Sequence, residues 1–443
     1  MLFEKRIKLI KYTLLGSEVK LIKKGIFDIK SDCYSDKGVP FVRISNLKNQ
    51  VIDMANIIYI PESENIKNLN TALVRNDIIL SKTANAAASL VNIPFCNTSQ
   101  DTVAIKLKDD SLVNSHFVVT YLNTKYGLKQ MQRWFTGNIQ MHLNLEDCKS
   151  NLLLPIYSVP FQNTIKELFE NAISKSSKSQ TTYTEAEAIL LEEIGLQNFE
   201  PSNEPVNIKS FKESFGVTKR LDAEYYQIKY EQVIKKIAAQ KHDSLINLVD
   251  ISKSIEPGSD NYSDESGLPF YRVADFNKFG LSKPDKELTN SFVADNKELI
   301  SKLKPKQGTI LFSKDGSVGT AYLLRKDLDG ITSGAILHLQ VKNIKEIVPE
   351  YLTLALNSKL VQMQAERDSG GSIILHWRKE EIEQVIVPII DYKKQEQIAE
   401  LVEESFKLKI ESERLLALSK KAVEIAIEED EESALNFINE NLK

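Results

Sequence analysis

Gly38-Val39-Pro40-Phe41-Val42-Arg43 returns 229 residues later as Gly267-Leu268-Pro269-Phe270-Tyr271-Arg272. The turn before it returns as well, Tyr34-Ser35-Asp36 as Tyr262-Ser263-Asp264. Working outward, Ile78-Ile79-Leu80-Ser81-Lys82 is echoed by Ile310-Leu311-Phe312-Ser313-Lys314 at an offset of 232. Leu122-Asn123, Lys125, Gln130, Arg133, Gly137, Ile139 and His142 meet Leu356-Asn357, Lys359, Gln364, Arg367, Gly371, Ile373 and His376, all at 234. Pro155, Gln162, Ile165, Glu167 and Leu168 meet Pro388, Gln395, Ile398, Glu400 and Leu401 at 233. Preserved order with a nearly constant offset marks a tandem duplication of a whole domain, at a period far too long for a solenoid.

Each copy reads in two parts. The first is mixed: Phe41–Ile44, Asp77–Leu80 and Thr102–Leu107 are short β-rich runs separated by Asn, Asp, Gly and Pro. Helices are expected near His116–Phe135 and Pro349–Arg367, with Leu352, Leu356 and Leu360 at helical spacing. A glycine-containing loop and a strand ending at Pro155 or Pro388 follow. The second part is a long helix. In the later copy Leu401, Leu408, Leu415 and Ala422 recur every seven residues, beside the small Ser405, Ser412 and Ser419. In the earlier copy Ile165, Leu168, Ala172, Ala186, Ile189 and Leu190 mark the stripe, and the polar middle, Ser174–Thr182, calls for a partner. Neither helix is stable alone, so the two are expected to bury each other.

The fold class expected is α+β, with two mixed α/β domains joined by long helices in an antiparallel coiled coil, pseudo-twofold overall. The expected boundaries are 1–157 for the first domain and 158–200 for the first long helix. Residues 201–240 form a linker, with Pro201 and Pro205, and a lead-in helix over Lys219–Ala239. The second domain spans 241–390, and 391–443 hold the second long helix and an acidic tail.

Composition sets limits on function. The chain has 443 residues, 42% hydrophobic and 27% charged, with a formal net charge of −4. That is ordinary soluble composition and excludes a uniformly basic, histone-like binder. Residues 1–50 nonetheless carry eleven Lys/Arg against five Asp/Glu, either a basic patch or a solvated face. Cys33, Cys96 and Cys148 lie far apart, as in a reduced compartment, and outline no zinc cage. No signal-peptide core or long apolar span is apparent, so a cytoplasmic location is expected. There is no P-loop, no Asp/Asn-Pro-Pro-aromatic methylation motif and no metal-binding histidine spacing.

Gly38–Leu47, Gly267–Phe276, Arg220-Leu221-Asp222-Ala223-Glu224-Tyr225-Tyr226 and the two proline-then-long-helix endings together resemble type I restriction-modification specificity subunits. The resemblance covers essentially the whole chain. It implies a non-catalytic subunit in which each mixed domain is a target recognition domain for one half of a split DNA site. The helices, marked by Ile165, Leu168, Leu190, Leu401, Leu408 and Leu415, would set the spacing and dock two methyltransferase (modification) subunits. Those partners would bind S-adenosylmethionine, this chain no cofactor and no metal, and separate restriction motor-nuclease subunits would cut the DNA. The basic N-terminus offers only a weak counterpart to Arg220–Tyr226.

A reader of double-stranded DNA needs phosphate anchors and base-edge readers. Lys82, Thr83 and Asn85 follow one repeated strand; Lys314, Asp315 and Ser317 follow its counterpart. Gly316-Ser317-Val318-Gly319 either offers backbone amides to a phosphate or makes a plain turn. Arg133, Thr136, Gly137, Asn138, Gln140 and His142 form a second candidate loop, matched by Arg367, Ser369, Gly370, Gly371, Ser372, His376, Trp377 and Arg378. The two histidines either anchor DNA or cap and pack against the preceding helix. Arg43 and Arg272 suit a phosphate or a structural ion pair equally, while Phe41, Phe270 and Tyr271 favour core packing over base stacking. Two other functions stay open: a stand-alone nuclease with an unfamiliar site, and a protein-binding coiled-coil scaffold.

Overall fold

The computed structural model describes residues 10–48, 50–54, 56–82, 87–137, 142–204, 206–263, 267–371 and 374–442. They fall into two compact units. One holds residues up to Lys178 together with Leu408 onward; the other is Ser179–Lys407.

In the first unit, a six-stranded sheet runs in the order Val19–Lys24, Thr102–Leu107, Ile78–Ser81, Ala88–Leu90, Val51–Ile52, Leu47–Lys48. Its centre is antiparallel, with Ile105 opposite both Ile22 and Ile78. Ile78, Leu80, Val103 and Ile105 are fully buried, as expected for central strands rich in β-branched residues. A second sheet places Val39–Val42 between Ile58–Ile60 and Phe95–Thr98. The G-x-P-F-x-R glycine belongs to this contact: a Cβ on Gly38, at φ +136°, would sit 2.4 Å from the Ile60 carbonyl oxygen.

The second unit repeats the scheme. Val249–Lys253, Ile336–Val341, Ile310–Ser313 and Ala321–Leu323 form one sheet; Leu268–Tyr271 lies between Lys286–Leu288 and Ile331–Thr332 in the other. A Cβ on Gly267 would meet the Leu288 carbonyl oxygen at 2.2 Å. Phe41 and Phe270 are buried in their cores, as the core-packing reading expected.

The helical stretch in each copy is not one helix but two, Ser115–Leu122 then Lys125–Arg133, and Pro349–Asn357 then Lys359–Asp368. The break has a local cause. Asn123 and Asn357 turn their side-chain amides to a strand, donating to Ala88 O (2.7 Å) and Ala321 O (2.8 Å). Thr124 then caps the next helix by accepting from Gly127 N–H. The expected lead-in helix is also shorter. Only Ile228–Ala238 is a sustained helix, because Lys219 enters the left-handed region at φ 60° and ends the Phe215–Thr218 turn.

The long helices span Val159–Glu193 and Tyr392–Glu428. The first unit contains the start of one and the end of the other, so they run antiparallel there. Phe161, Ile165, Leu168 and Ala172 share a core with Leu415, Leu416, Ala422 and Val423. In the second unit Ala186 and Leu190 share a core with Ile398 and Val402, and Leu401 packs on it half-buried. The small polar residues lie in the seam. Ser179 Oγ donates to Ser405 O (2.7 Å) and Ser405 Oγ to Ser179 O (2.8 Å); Ser412 Oγ donates to Ala172 O (2.7 Å). The hydroxyls thus satisfy each other's helix in a buried place. A separate last helix, Glu431–Leu442, buries Ala434 and Ile438 in the first unit.

Candidate nucleic-acid interface

In each unit the two candidate loops are tied together by the same backbone hydrogen bond. In the first, Leu143 N–H donates to Lys82 O (2.8 Å); in the second, Trp377 N–H donates to Lys314 O (2.8 Å). Each partner of that bond lies at the end of a repeated landmark. The second loop of each pair is a tight hairpin, with Thr136 opposite His142 in one unit and Gly370 opposite His376 in the other. His142 and His376 therefore occupy one register position on one scaffold.

The second unit shows the pair in detail. Asp315 is bridged to His376, and Gly316 N–H donates to Leu375 O (2.8 Å). Gly370 and His376 exchange backbone bonds of 3.0 and 2.7 Å. Trp377, next along, is buried against Phe312. The side chains join too: Lys314 Nζ binds Asp315 Oδ2, and His376 Nδ1 meets Asp315 Oδ1 at 2.8 Å. Ser317 and Arg378 are exposed beside them, Arg378 holding Glu381. At the hairpin tip the apolar Ile374 and Leu375 are 55% and 41% exposed. Gly316 and Gly319 lie in left-handed conformations, and both amides are already used, the second by Ser313 O (2.8 Å). For those two amides the turn reading holds.

The hairpin's base is clamped from the linker. Arg220 Nη1 donates to Asp368 O (2.9 Å), and the guanidinium groups of Arg220 and Arg367 lie 4.5 and 4.9 Å from the Tyr225 ring centre. Arg367 also makes two bonds to the Asp368 carboxylate (2.7 and 3.1 Å), so its fork is spent on structure. Ser369, half-buried, starts the hairpin just beyond. Sequence reasoning quoted the Arg220–Tyr226 motif as a family mark but did not connect it to the loop.

In the first unit Lys82 stands half-buried beside Lys24. Burial, and then Lys24's charge, hold its ammonium below the usual lysine range, with the charge of Asp101 partly offsetting them. Two lysines beside a single carboxylate leave a net positive charge there, which attracts an anion. Lys24 was missed, although its repeat partner Lys253 lies at the offset of the opening motif. Arg133 and Thr136 are exposed, with Arg133 over the Trp134 ring. His142 is half-buried, and its Nδ1 meets no partner among the described residues. Thr83, Asn85, Asn138, Gln140 and Ser372 lie outside the described residues.

Arg43 and Arg272 lie elsewhere, at the strand ends. Their backbone N–H groups donate to Asn46 Oδ1 (3.0 Å) and Asp275 Oδ2 (2.8 Å), Arg43 Nη2 donates to Asn56 O (3.1 Å), and Arg272 faces Asp275 and Asp285 at 3.9 and 3.7 Å. Arg272 thus has carboxylates within ion-pair reach, whereas the described contact of the Arg43 side chain is with a backbone carbonyl. Ile165, Leu168, Leu190, Leu408 and Leu415 are buried inside this chain and Leu401 is half-buried. A subunit docking on the helices would therefore meet other side chains.

Residues 244–419, which hold most of the second copy, match the type I restriction modification DNA specificity domain. Among curated proteins none matches the chain. Among solved structures it is similar to the type I restriction-modification S subunit from M. genitalium, 13% identical over 97% of this chain and 96% of that one, with a TM-score of 0.41. It is also similar to the HsdS subunit from Thermoanaerobacter tengcongensis, 14% identical over 95% and 97%, with a TM-score of 0.30. These are loose likenesses, and the family match rests on residues 244–419.

Proposed function

We propose that the chain reads a DNA sequence in two parts, one for each unit, through the paired loops after Ile78–Ser81 and Ile310–Ser313 and their hairpins. The observation that carries this reading is the repeated bond from Leu143 to Lys82 and from Trp377 to Lys314. A scaffold kept in both units holds side chains that differ between them: Lys82 beside Lys24 in one, Lys314 with Asp315 and His376 in the other. Kept backbone with changed polar side chains suits two different half-sites, since base edges are told apart by donor and acceptor pattern.

On this reading the chain itself catalyses nothing. The outward faces of its long helices dock two methyltransferase subunits, which hold S-adenosylmethionine, and restriction motor-nuclease subunits join the complex. It works on cytoplasmic DNA; no helix among the described residues is long and apolar enough to cross a membrane. The test is a swap. Replacing residues 30–155 with the corresponding segment of another such subunit should change one half of the modified motif, mapped genome-wide, and leave the other intact. A change in both halves, or in neither, overturns the proposal. Mg²⁺-dependent cleavage by the purified chain would favour a nuclease instead, and absence of sequence-selective binding with partners present would favour a scaffold.

A further inference from the structure

His376 is an exposed side chain with an unusual degree of fixation. Its backbone is bonded on both sides, to Gly370 and across the bridge to Asp315, and the next residue, Trp377, is buried. The imidazole is 63% exposed, yet Nδ1 is tied to Asp315 Oδ1 at 2.8 Å. Lys314 Nζ holds the other carboxylate oxygen. Nε2 meets no partner among the described residues. Rigid elements that present one polar atom to solvent are how specific contacts are built.

The chemistry of that atom follows from its neighbours. An ionised carboxylate only accepts hydrogen bonds, so Asp315 holds the ring proton on Nδ1. In the neutral ring Nε2 is then an acceptor. A phosphate has nothing to donate to it. In the major groove the donors are the exocyclic amino groups, N6 of adenine and N4 of cytosine. We propose that His376 reads one such amino group through Nε2, with Asp315 as the residue that positions the ring and sets its tautomer. Lys314 neutralises the carboxylate, which lowers its repulsion of the DNA backbone. The inference rests on the reading of the second unit as a DNA reader, and it names the chemical group read there.

The full chain, with its partner subunits, is offered a randomised duplex library. His376→Ala should erase the preference at one base pair in one half of the selected motif, leaving the other half unchanged. At that pair, replacing adenine by purine, or cytosine by its analogue lacking the amino group, should weaken wild-type binding by roughly five- to a hundredfold. The same replacement should leave His376→Ala binding unaltered, and which analogue acts identifies the base. Asp315→Asn, whose amide no longer dictates the tautomer, should relax the same position while circular dichroism stays as in the wild type. A motif unchanged by His376→Ala overturns this inference alone, as does an equal loss across all sequences or a full wild-type preference in Asp315→Asn. A wild-type chain that selects no motif overturns the functional reading and this inference with it.

Discussion

At the scale of single residues, much of the repetition in the sequence marks structure. Gln130 and Gln364 each brace a strand, donating to Leu153 O (3.1 Å) and Ile386 O (2.9 Å) and accepting from the same residues' N–H groups. Gln162 and Gln395 accept from Asn114 and Val348 N–H at 2.9 and 3.0 Å. These landmarks are polar because they satisfy buried backbone, a role that spacing cannot distinguish from base reading. Arg367 belongs with them; on the inference above His376 does not, and its partner Asp315 is what separates the two cases. Two other histidines serve as stability probes. Burial pushes His116 in the first unit and His338 in the second down to about 4, with Glu170 partly offsetting the effect at His116. The unfolded chain takes up these protons near pH 6.5 while the folded units do not. Stability should therefore be at its full value above pH 6.5, fall by up to ~3 kcal/mol per histidine as pH drops to about 4, and lose nothing more from this source below that. His338→Gln should remove the second unit's share of that loss in a thermal-denaturation series against pH, leaving the share of His116.

Among the elements, the long helices were the most legible, because a seven-residue repeat survives in sequence whatever surrounds it. Leu408, Leu415 and Ala422 are all buried where the spacing placed them. The paired short helices were read as one, since periodicity does not register a side-chain amide that leaves the helix for a strand. The hairpins were invisible as strands: two-residue pairings such as Phe135–Thr136 with His142–Leu143 carry no alternation to detect. The polar middle of the first long helix was read correctly as needing a partner, and the reciprocal bonds of Ser179 and Ser405 supply it. Ser405→Leu should force the helices apart and strand the Ser179 hydroxyl, lowering stability by about 1–3 kcal/mol. Ser405→Ala, which adds no bulk, should lower it by less, as differential scanning of the two variants would show.

At the scale of the whole molecule, each long helix contributes to both units. On the proposed function, lengthening both helices by one heptad, after Lys178 and before Leu408, adds about 10 Å of helix. The gap between the two halves of the recognised motif should grow by about three base pairs, with the halves themselves unchanged, as methylation mapping would reveal. Lengthening only one helix should abolish recognition, because the antiparallel seam would lose its register. The way the chain is shared out also sets an order of birth. Ser179–Lys407 is continuous and can close as soon as it leaves the ribosome, whereas the first unit draws Leu415, Ala422 and Ile438 from the far end. At ordinary synthesis speeds Lys178 waits roughly 10 to 50 seconds for Leu408, so the half that is translated first is the half that finishes second.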